Sequence, residues 1–480
     1  MNPRLKRSLV FIIIALCLLS RLPQLLSTNL ILDGDECVDG LMAKHIYSLK
    51  DFPLFFYGQA YGFSFIESLA IVPFYAIAGV TTLSVKIAML CIWITGVVFL
   101  FKAFVKINNG NTSLPFLLIL VLICSPAWAV WSMKARGGYL TAFMLTAIIL
   151  YLLFSPSIKS TRYIIIGVLF TLVYQSQPLW IPGLIPLIVC RLYREKSVKN
   201  ALLFTITAMI FLIFFYFYKQ GLPHDYTPDL TFECAQLASH VARIPYFLFS
   251  SLHGYYFSNR VQHPNFFCAL FAYVFAAIIF FLILVAIVNL VARKKGSALF
   301  NLSVLSVILT LCCTLFFKDV HPRYLLPITG YTLLSLLLLL QTAGKQVFYF
   351  VAPVLIVGGS LSLVSFKDFR FSTMQKSKFG QLIPYLLTNK VHYVYCYDRM
   401  LTYQLLFYSK EQIIARDRPL ITRFPVYSQQ VDSALNNGQK TAFIFNELQL
   451  RDMVQQAISF NGYLIIFDPK KTDLAKIFRF

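Results

Sequence analysis

The sequence predicts an α-helical polytopic membrane protein, with about eleven transmembrane helices followed by a small C-terminal extracytoplasmic α/β domain. Three observations lead to this fold class. The mean hydropathy is +0.70. Of the 480 residues, 58% are hydrophobic and only 13% are charged. Apolar runs close to the length that crosses a bilayer recur from residue 9 to about residue 364. We therefore predict a transmembrane region over 1–365 and a separate domain over 366–480.

The apolar runs are the candidate transmembrane helices, and the bases between them indicate which runs span. The runs cover residues 9–25, 64–80, 83–101, 114–132, 138–154, 162–176, 178–190, 200–218, 266–291, 298–316, 324–341 and 346–364. If 64–80 does not span, the inner loops contain fifteen bases and one acid, and the outer side contains eleven bases and ten acids. If it spans, only eleven bases lie inside and fifteen lie outside. The first arrangement fits the positive-inside rule better.

This arrangement predicts a cytoplasmic N-terminus, an extracytoplasmic C-terminal domain and a first outer loop over 26–82. The run 64–80 contains Glu67 and Pro73, which suit a helix that lies at the interface or re-enters the membrane. The N-terminus has the charged-then-apolar shape of a signal peptide but lacks a small-x-small cleavage site, so we interpret it as an uncleaved first span.

The composition also excludes several classes of protein. The net charge of +22 comes from short basic clusters between apolar runs, which are typical of topology signals and do not indicate a nucleic-acid partner. The ten cysteines show no metal-ligand spacing and no disulfide framework, although pairing among Cys37, Cys234 and Cys396 stays open. No glycine-rich phosphate loop, HExxH or GxSxG motif is present, so nothing indicates a soluble-nucleotide enzyme or a hydrolase.

The acidic stretch Asp33-Gly34-Asp35-Glu36 is the most informative local feature. We expect it on a loop just outside the membrane, followed by a short helix in "VDGLMAKHIYSL". Carboxylates beside lipid headgroups are electrostatically unfavourable unless basic groups or a substrate hydroxyl meet them. A catalytic role and an ordinary role in an Asx-turn or helix cap are both consistent with the position alone.

The longer stretch "GDECVDGLMAKHIYSLKDFPLFFYGQAYGFSFIES" resembles the first outer loop of bacterial GT-C superfamily glycosyltransferases similar to the dolichyl-phosphate-mannose protein mannosyltransferases. The tail stretch "YDRMLTYQLLFYSKEQIIA", followed by "RFPVY", resembles the terminal domain of some bacterial members. The middle of the chain resembles the family in its pattern of spans. The elements that carry the first resemblance are Asp35-Glu36, Gly40, Ala43, His45-Ile46, Phe52-Pro53 and "FFYGQAYG" ahead of Glu67.

The resemblance implies an inverting transfer of a sugar from a polyprenyl-phosphate donor to a glycan, lipid or protein acceptor. It implies that Asp35 is the base that takes the proton of the acceptor hydroxyl. Glu36 would position a sugar or acceptor group, and we expect Asp33 and Asp39 to be loop acids. The implied location is a bacterial inner membrane, with the active face toward the periplasm or exterior.

The leaving phosphate requires positive groups on the same face as the base. The topology offers Lys86 at the outer end of the second span, Lys134 and Arg136 in "WSMKARGGYL", and Arg323 in "DVHPRYLLP". Each of them could instead extend to lipid phosphates, as basic residues at span ends commonly do.

Four further residues are candidates for substrate contacts, and each has an ordinary structural alternative. These residues are Glu67, Tyr139, Arg260 and His321. A divalent metal could be held by Asp35, Glu36 and a histidine, but no ligand spacing requires one, so we predict no metal.

Two other functions compete with glycosyl transfer. A flippase or exporter of lipid-linked sugar would also need basic residues and a large apolar body, but it would need polar residues along its spans, and these spans are uniformly apolar. A non-catalytic relative would keep the fold and bind polyprenyl-phosphate lipid, membrane lipids or another subunit.

Overall fold

The structure of the chain is a computed structural model. It describes residues 3–27, 30–155, 159–222, 234–254, 266–292, 298–313, 321–343, 346–365, 380–417, 423–446 and 457–475.

Helices account for most of the described residues before the C-terminal domain, and each apolar run of the sequence coincides with one or more of them. They are α1 (Pro3–Leu25), α2 (Gly34–Tyr47), α3 (Phe65–Ala78), α4 (Thr82–Ile107), α5 (Ser113–Cys124), α6 (Pro126–Trp131), α7 (Tyr139–Leu153), α8 (Thr161–Ser176), α9 (Ile181–Glu195), α10 (Val198–Gln220), α11 (Cys234–Leu252), α12 (Phe266–Val291), α13 (Ala298–Cys313), α14 (Ile328–Ala343) and α15 (Gln346–Ser365).

Five segments within the described residues are helical, long enough and apolar enough to cross a membrane. They are Arg7–Leu25, Thr82–Ile107, Val198–Gln220, Phe266–Val291 and Pro322–Thr342. Other apolar helices, such as α7 and α13, are shorter than a full bilayer crossing. The helical membrane architecture predicted from the sequence is confirmed, whereas the count of about eleven spans and the sidedness stay predictions.

Two features of the helical region differ from the spans and loops that the apolar runs predict. The run 114–132 is divided between α5 and α6 at Ser125, because Pro126 restricts the preceding residue to an extended conformation. The fully buried Arg21 of α1 donates hydrogen bonds to the carbonyl oxygen of Ile123 (3.1 Å) and to the hydroxyl of Ser132 (2.7 Å), so it stabilises this break. Helix α11 lies between the apolar runs 200–218 and 266–291, where no span is predicted.

The C-terminal domain is a small α/β unit, as predicted. Its helices are α16 (380–388), α17 (Arg399–Tyr408), α18 (Pro425–Asn436) and α19 (Lys471–Ala475), and its strands are β1 (Tyr393–Cys396), β2 (Ile414–Arg416), β3 (Thr441–Asn446), β4 (Ile458–Phe460) and β5 (Tyr463–Phe467). The strand order is β2-β1-β3-β5-β4. Strand β1 pairs in parallel with β2 and β3, and β5 is antiparallel to β3 and β4.

The C-terminal domain packs directly on the segment predicted as the first outer loop, through contacts of α17 with α2. Two glycines of α2 permit this close approach. A Cβ atom at Gly34 would lie 2.7 Å from the Cα atom of Met400, and one at Gly40 would lie 2.6 Å from the ring of Phe407. A larger residue at either glycine would therefore push α17 and the domain away from α2.

Candidate active site

The acidic stretch forms the beginning of α2. Asp33 is the N-cap, and its carboxylate accepts a hydrogen bond from the Glu36 N–H (2.9 Å), while the Glu36 carboxylate accepts one from the Asp33 N–H (3.1 Å). This reciprocal capping box fixes the first turn of the helix. Our expectation that Asp35 and Glu36 lie on a loop is therefore wrong, because the box starts the helix at Gly34.

The turn that contains Lys134 and Arg136 lies opposite the start of α2. Gly137 and Gly138 have positive φ values of +56° and +85°, which residues with a Cβ rarely adopt. The side-chain amide of Gln177 donates a hydrogen bond to the Gly137 carbonyl oxygen (2.9 Å). The two glycines reverse the chain before α7 and bring the two basic side chains to the acids.

Asp33 and Glu36 each contact a lysine. The ammonium group of Lys134 lies 2.7 Å from a carboxylate oxygen of Asp33 and 3.9 Å from one of Glu36. Lys86 of α4 pairs with the other oxygen of Glu36, which is almost fully buried. These pairs connect α2 with α4 and with the turn before α7.

Asp35 lies between two arginines. Its Oδ2 atom is 2.8 Å from Nη2 of Arg136, and its Oδ1 atom accepts a hydrogen bond from Nη2 of Arg423 at 2.8 Å. Arg136 also lies 3.5 Å from Asp33. Asp35 and the candidate phosphate ligand Arg136 are thus in contact, whereas Arg423 was not among the predicted residues.

The cations determine the charge state of the carboxylates. Burial raises the pKa of Asp35, but Arg136, Arg423 and, more weakly, Arg323 lower it, and the net change is downward. Burial likewise opposes the ionisation of Asp33, but Lys134 and Arg136 hold its pKa well below the usual value. With all groups ionised, the three carboxylates and the four cations that contact them leave one net positive charge.

Asp39 and Glu67 have a different environment from the acids that begin α2. The Glu67 carboxylate accepts hydrogen bonds from the N–H groups of Gly138 (3.2 Å), Leu140 (3.1 Å) and Thr141 (3.1 Å), at the start of α7. Those N–H groups have no partner within the helix, so Glu67 caps α7 from a distance. Burial raises the pKa of Glu67 to about 6.

Asp39 is fully buried within α2, so our expectation that it is a loop acid is wrong. Its carboxylate accepts a hydrogen bond from the Gly137 N–H at 3.3 Å. Burial and the charge of Glu67 raise its pKa well above the usual value. Asp39 and Glu67 thus fix the backbone of the turn that carries Arg136.

The remaining predicted contacts lie in varied surroundings. Tyr139 is mostly buried and packs against Trp131, with ring centroids 4.8 Å apart. His321 is half-buried, beside the ring of Tyr324. Arg260 lies outside the described residues.

The described residues hold no group of three or more His, Cys, Asp and Glu side chains that could hold a metal ion. Cys37 and Cys396 are buried free thiols. The side chain of Cys234 lies outside the described part.

A second polar cluster connects the C-terminal domain to α2. Glu411 lies 2.5 Å from Lys44 and 3.2 Å from His45, and it accepts a hydrogen bond from the Tyr427 hydroxyl at 2.8 Å. The other ring nitrogen of His45 lies 2.8 Å from the Tyr57 hydroxyl oxygen. Burial opposes the ionisation of Glu411, but the hydrogen bonds from these groups lower its pKa overall.

No protein-family model matches the chain, and no curated protein matches it. Solved structures do match it over nearly its whole length. One is the crystal structure of ArnT from Cupriavidus metallidurans bound to undecaprenyl phosphate, with 12% identity, a TM-score of 0.61 and coverage of 98% of this chain and 99% of that chain. Another is ArnT from the same organism in the apo state, with 11% identity, a TM-score of 0.61 and coverage of 96% and 97%.

These similarities establish the fold class of the chain. The chain has the fold of these ArnT structures, and its described residues include five helices long and apolar enough to cross a membrane. Identity this low shows the fold alone, and one fold can support several functions.

Proposed function

We propose that the protein is a membrane glycosyltransferase that moves a sugar from a polyprenyl-phosphate donor to an acceptor hydroxyl on the extracytoplasmic face, with inversion and with Asp35 as the base. The observation that carries this proposal is the contact of Asp35 with Arg136, in a cluster with a surplus of positive charge. The side chains of both residues keep some exposure, 12% and 14% respectively, so substrate can reach them. The undecaprenyl phosphate in the ArnT structure supports a lipid phosphate as the ligand class.

Arg136 begins the proposed reaction by exchanging partners. Arg136 contacts both Asp33, at 3.5 Å, and Asp35, at 2.8 Å. A phosphate group can accept two hydrogen bonds from one guanidinium group, so the donor phosphate attracts Arg136. Oδ2 of Asp35 then becomes free while Arg423 still holds Oδ1. The loss of one cation raises the pKa of Asp35 toward its ordinary value and makes it a better base.

The chemical step follows from this arrangement. The acceptor hydroxyl attacks the anomeric carbon as its proton passes to Oδ2 of Asp35. The bond from the anomeric carbon to the phosphate oxygen breaks, and its electron pair stays on the phosphate. Arg136, Lys134 and Arg323 stabilise the charge that develops there. The products are the inverted glycoside and the free polyprenyl phosphate.

Glu36 and Lys86 support the geometry in this proposal. Glu36 is only 2% exposed, and its oxygens are occupied by Lys86 and the Asp33 N–H. We therefore assign Glu36 to the fixed framework of the cluster and not to direct contact with the sugar. Lys86 is held by Glu36 and contributes positive charge near the donor phosphate.

Purified protein in vesicles, supplied with a panel of labelled polyprenyl-phosphate sugars and a bacterial membrane extract as acceptor, tests the proposal. Transfer of label to the acceptor, with release of polyprenyl phosphate, is the expected result. Movement of intact donor across the vesicle bilayer without transfer would instead indicate a flippase. Binding of the donor with neither event would indicate a non-catalytic relative.

A further inference from the structure

We infer that Arg423, supplied by the C-terminal domain, is the positioning residue of Asp35, so that this domain completes the active site. The inference rests on the proposed function. It also goes beyond it, because it assigns the domain a direct part in the reaction.

The first support for this inference is the geometry of Arg423 itself. The side chain is only 6% exposed, and its guanidinium carbon lies 4.6 Å from the centre of the Phe56 ring. Nη2 donates to Asp35 at 2.8 Å, and Nη1 donates to the Tyr57 carbonyl oxygen at 3.4 Å. A guanidinium group fixed on three sides holds its carboxylate partner in one orientation.

The second support is that the two arginines occupy different oxygens of Asp35. Arg136 contacts Oδ2 and Arg423 contacts Oδ1. When the donor attracts Arg136, Arg423 is the group that still fixes the rotation of the carboxylate. A base must lie within hydrogen-bond reach of the hydroxyl that it deprotonates, so this rotation matters for the rate.

The third support is the docking of the C-terminal domain, which fixes the position of Arg423. Gln404 donates a hydrogen bond to the Leu32 carbonyl oxygen at 2.9 Å, and the Leu32 N–H donates to the Tyr408 hydroxyl at 2.8 Å. These bonds tie α17 to the residue just before the N-cap of α2. Together with the Glu411 cluster, they hold the domain over the start of the helix that carries Asp35.

The pH dependence of transfer gives the inference a specific readout. A carboxylate beside arginines stays ionised to lower pH, and removal of one arginine raises the pH at which it gains a proton. The acid limb of the rate profile therefore reports the surroundings of Asp35. The charged and titratable groups of the described residues that act on Asp35 include Asp33, Cys37 and Asp39 from its own helix and cap, together with Arg136, Arg323 and Arg423.

The experiment compares full-length Arg423→Gln, Arg423→Lys and Arg416→Gln proteins with the wild type. Arg416 is a matched control, because it is equally buried in the same domain but pairs with Asp432. The measurements are the melting temperature and the rate of sugar transfer from a labelled polyprenyl-phosphate donor between pH 4 and pH 9. Vesicles without protein give the background rate.

Arg423→Gln should lower the rate by about 100-fold and move the acid limb upward by about one pH unit. Arg423→Lys keeps the charge, so its acid limb should stay near the wild-type position and its rate should recover in part. Arg416→Gln should keep the wild-type rate and the wild-type acid limb. Complete inactivity of both Arg423 variants, at the melting temperature of Arg416→Gln, would also support the inference.

Two results would overturn the inference. One is an Arg423→Gln protein with the wild-type rate and acid limb. The other is loss of activity in both Arg423 variants with a melting temperature well below that of Arg416→Gln, which would indicate a structural role. A wild-type protein that transfers no sugar would instead contradict the proposed function. Failure of the inference and failure of the proposed function are therefore distinguishable.

Discussion

Five carboxylates of the predicted first outer loop form two groups with opposite chemistry. Asp33, Asp35 and Glu36 contact lysines and arginines, and the pKa of both aspartates is lowered. Asp39 and Glu67 accept hydrogen bonds from backbone N–H groups, and the pKa of each is raised. Asp35 and Asp39 are one helical turn apart on α2. The partner opposite each acid therefore decides its charge state, and burial alone does not.

The largest expected effect is at Asp35. Asp35→Asn removes the proposed base while keeping the size of the side chain, so the rate of sugar transfer should fall by about 10²- to 10⁴-fold. A matched control is Asp432→Asn, since Asp432 also pairs with an arginine but lies in the C-terminal domain. Full activity of Asp35→Asn would remove Asp35 from the mechanism.

Arg136 should show the next largest effect, and it should act on donor binding. Arg136→Gln removes charge-assisted hydrogen bonds to the phosphate, so the KM for the polyprenyl-phosphate donor should rise by roughly 10- to 100-fold. The measurement is the initial rate over a range of donor concentrations. A donor KM and a kcat that both match the wild type would contradict the phosphate role.

Substitutions at Glu67 test whether the second group of carboxylates, Asp39 and Glu67, stabilises the fold. Glu67→Ala leaves several buried N–H groups at the start of α7 without a partner and should lower the free energy of unfolding by about 2–3 kcal/mol. Glu67→Gln keeps an oxygen acceptor and should cost less. The melting temperatures of both variants and of the wild type, recorded in detergent without donor, measure these losses of stability.

The raised pKa of Glu67 also predicts a pH dependence of stability. The pKa of Glu67 in the folded state is about 6, above the ordinary value of 4.5. The stabilisation that comes from the tighter proton binding of the folded state is therefore complete below pH 4.5 and is lost as the pH rises through 6. Glu67→Gln should remove this part of the dependence. An identical fall in melting temperature for the wild type and Glu67→Gln across this range would contradict the assignment.

Asp39 should show the smallest effect. Because its pKa is raised, the neutral side chain of Asp39→Asn resembles the native state, and the free energy of unfolding should change by less than about 1 kcal/mol. Sugar transfer should remain near the wild-type rate. A loss as large as that of Asp35→Asn would remove the distinction between the two groups of acids.

The sequence predicted the helical architecture because bilayer-length apolar runs and flanking bases are local signals. The predicted topology also puts Asp35 and Arg136 on one face, but a common face does not specify the contact between them. The capping box at Asp33 and Glu36 was readable as the start of α2, but the acids were assigned to a loop. The break between α5 and α6 had a signal in Pro126.

Arg423 could not be predicted from local pattern. It lies 388 residues beyond Asp35, and the two meet only because the C-terminal domain docks on α2. Arg423 is the first residue of the "RFPVY" stretch, whose resemblance to other proteins does not indicate a partner for its charge. The burial of Asp39 and Glu67 likewise depends on the fold of the turn at Gly137 and Gly138, which spacing in the sequence does not encode.

A structure of the protein with a polyprenyl-phosphate sugar bound is the most direct test of the central claim. We expect the phosphate to lie within hydrogen-bond distance of Arg136. Oδ2 of Asp35 should then be released from that arginine and face the anomeric carbon, while Arg423 stays on Oδ1. A phosphate bound far from this cluster, with the contact between Asp35 and Arg136 intact, would contradict the claim.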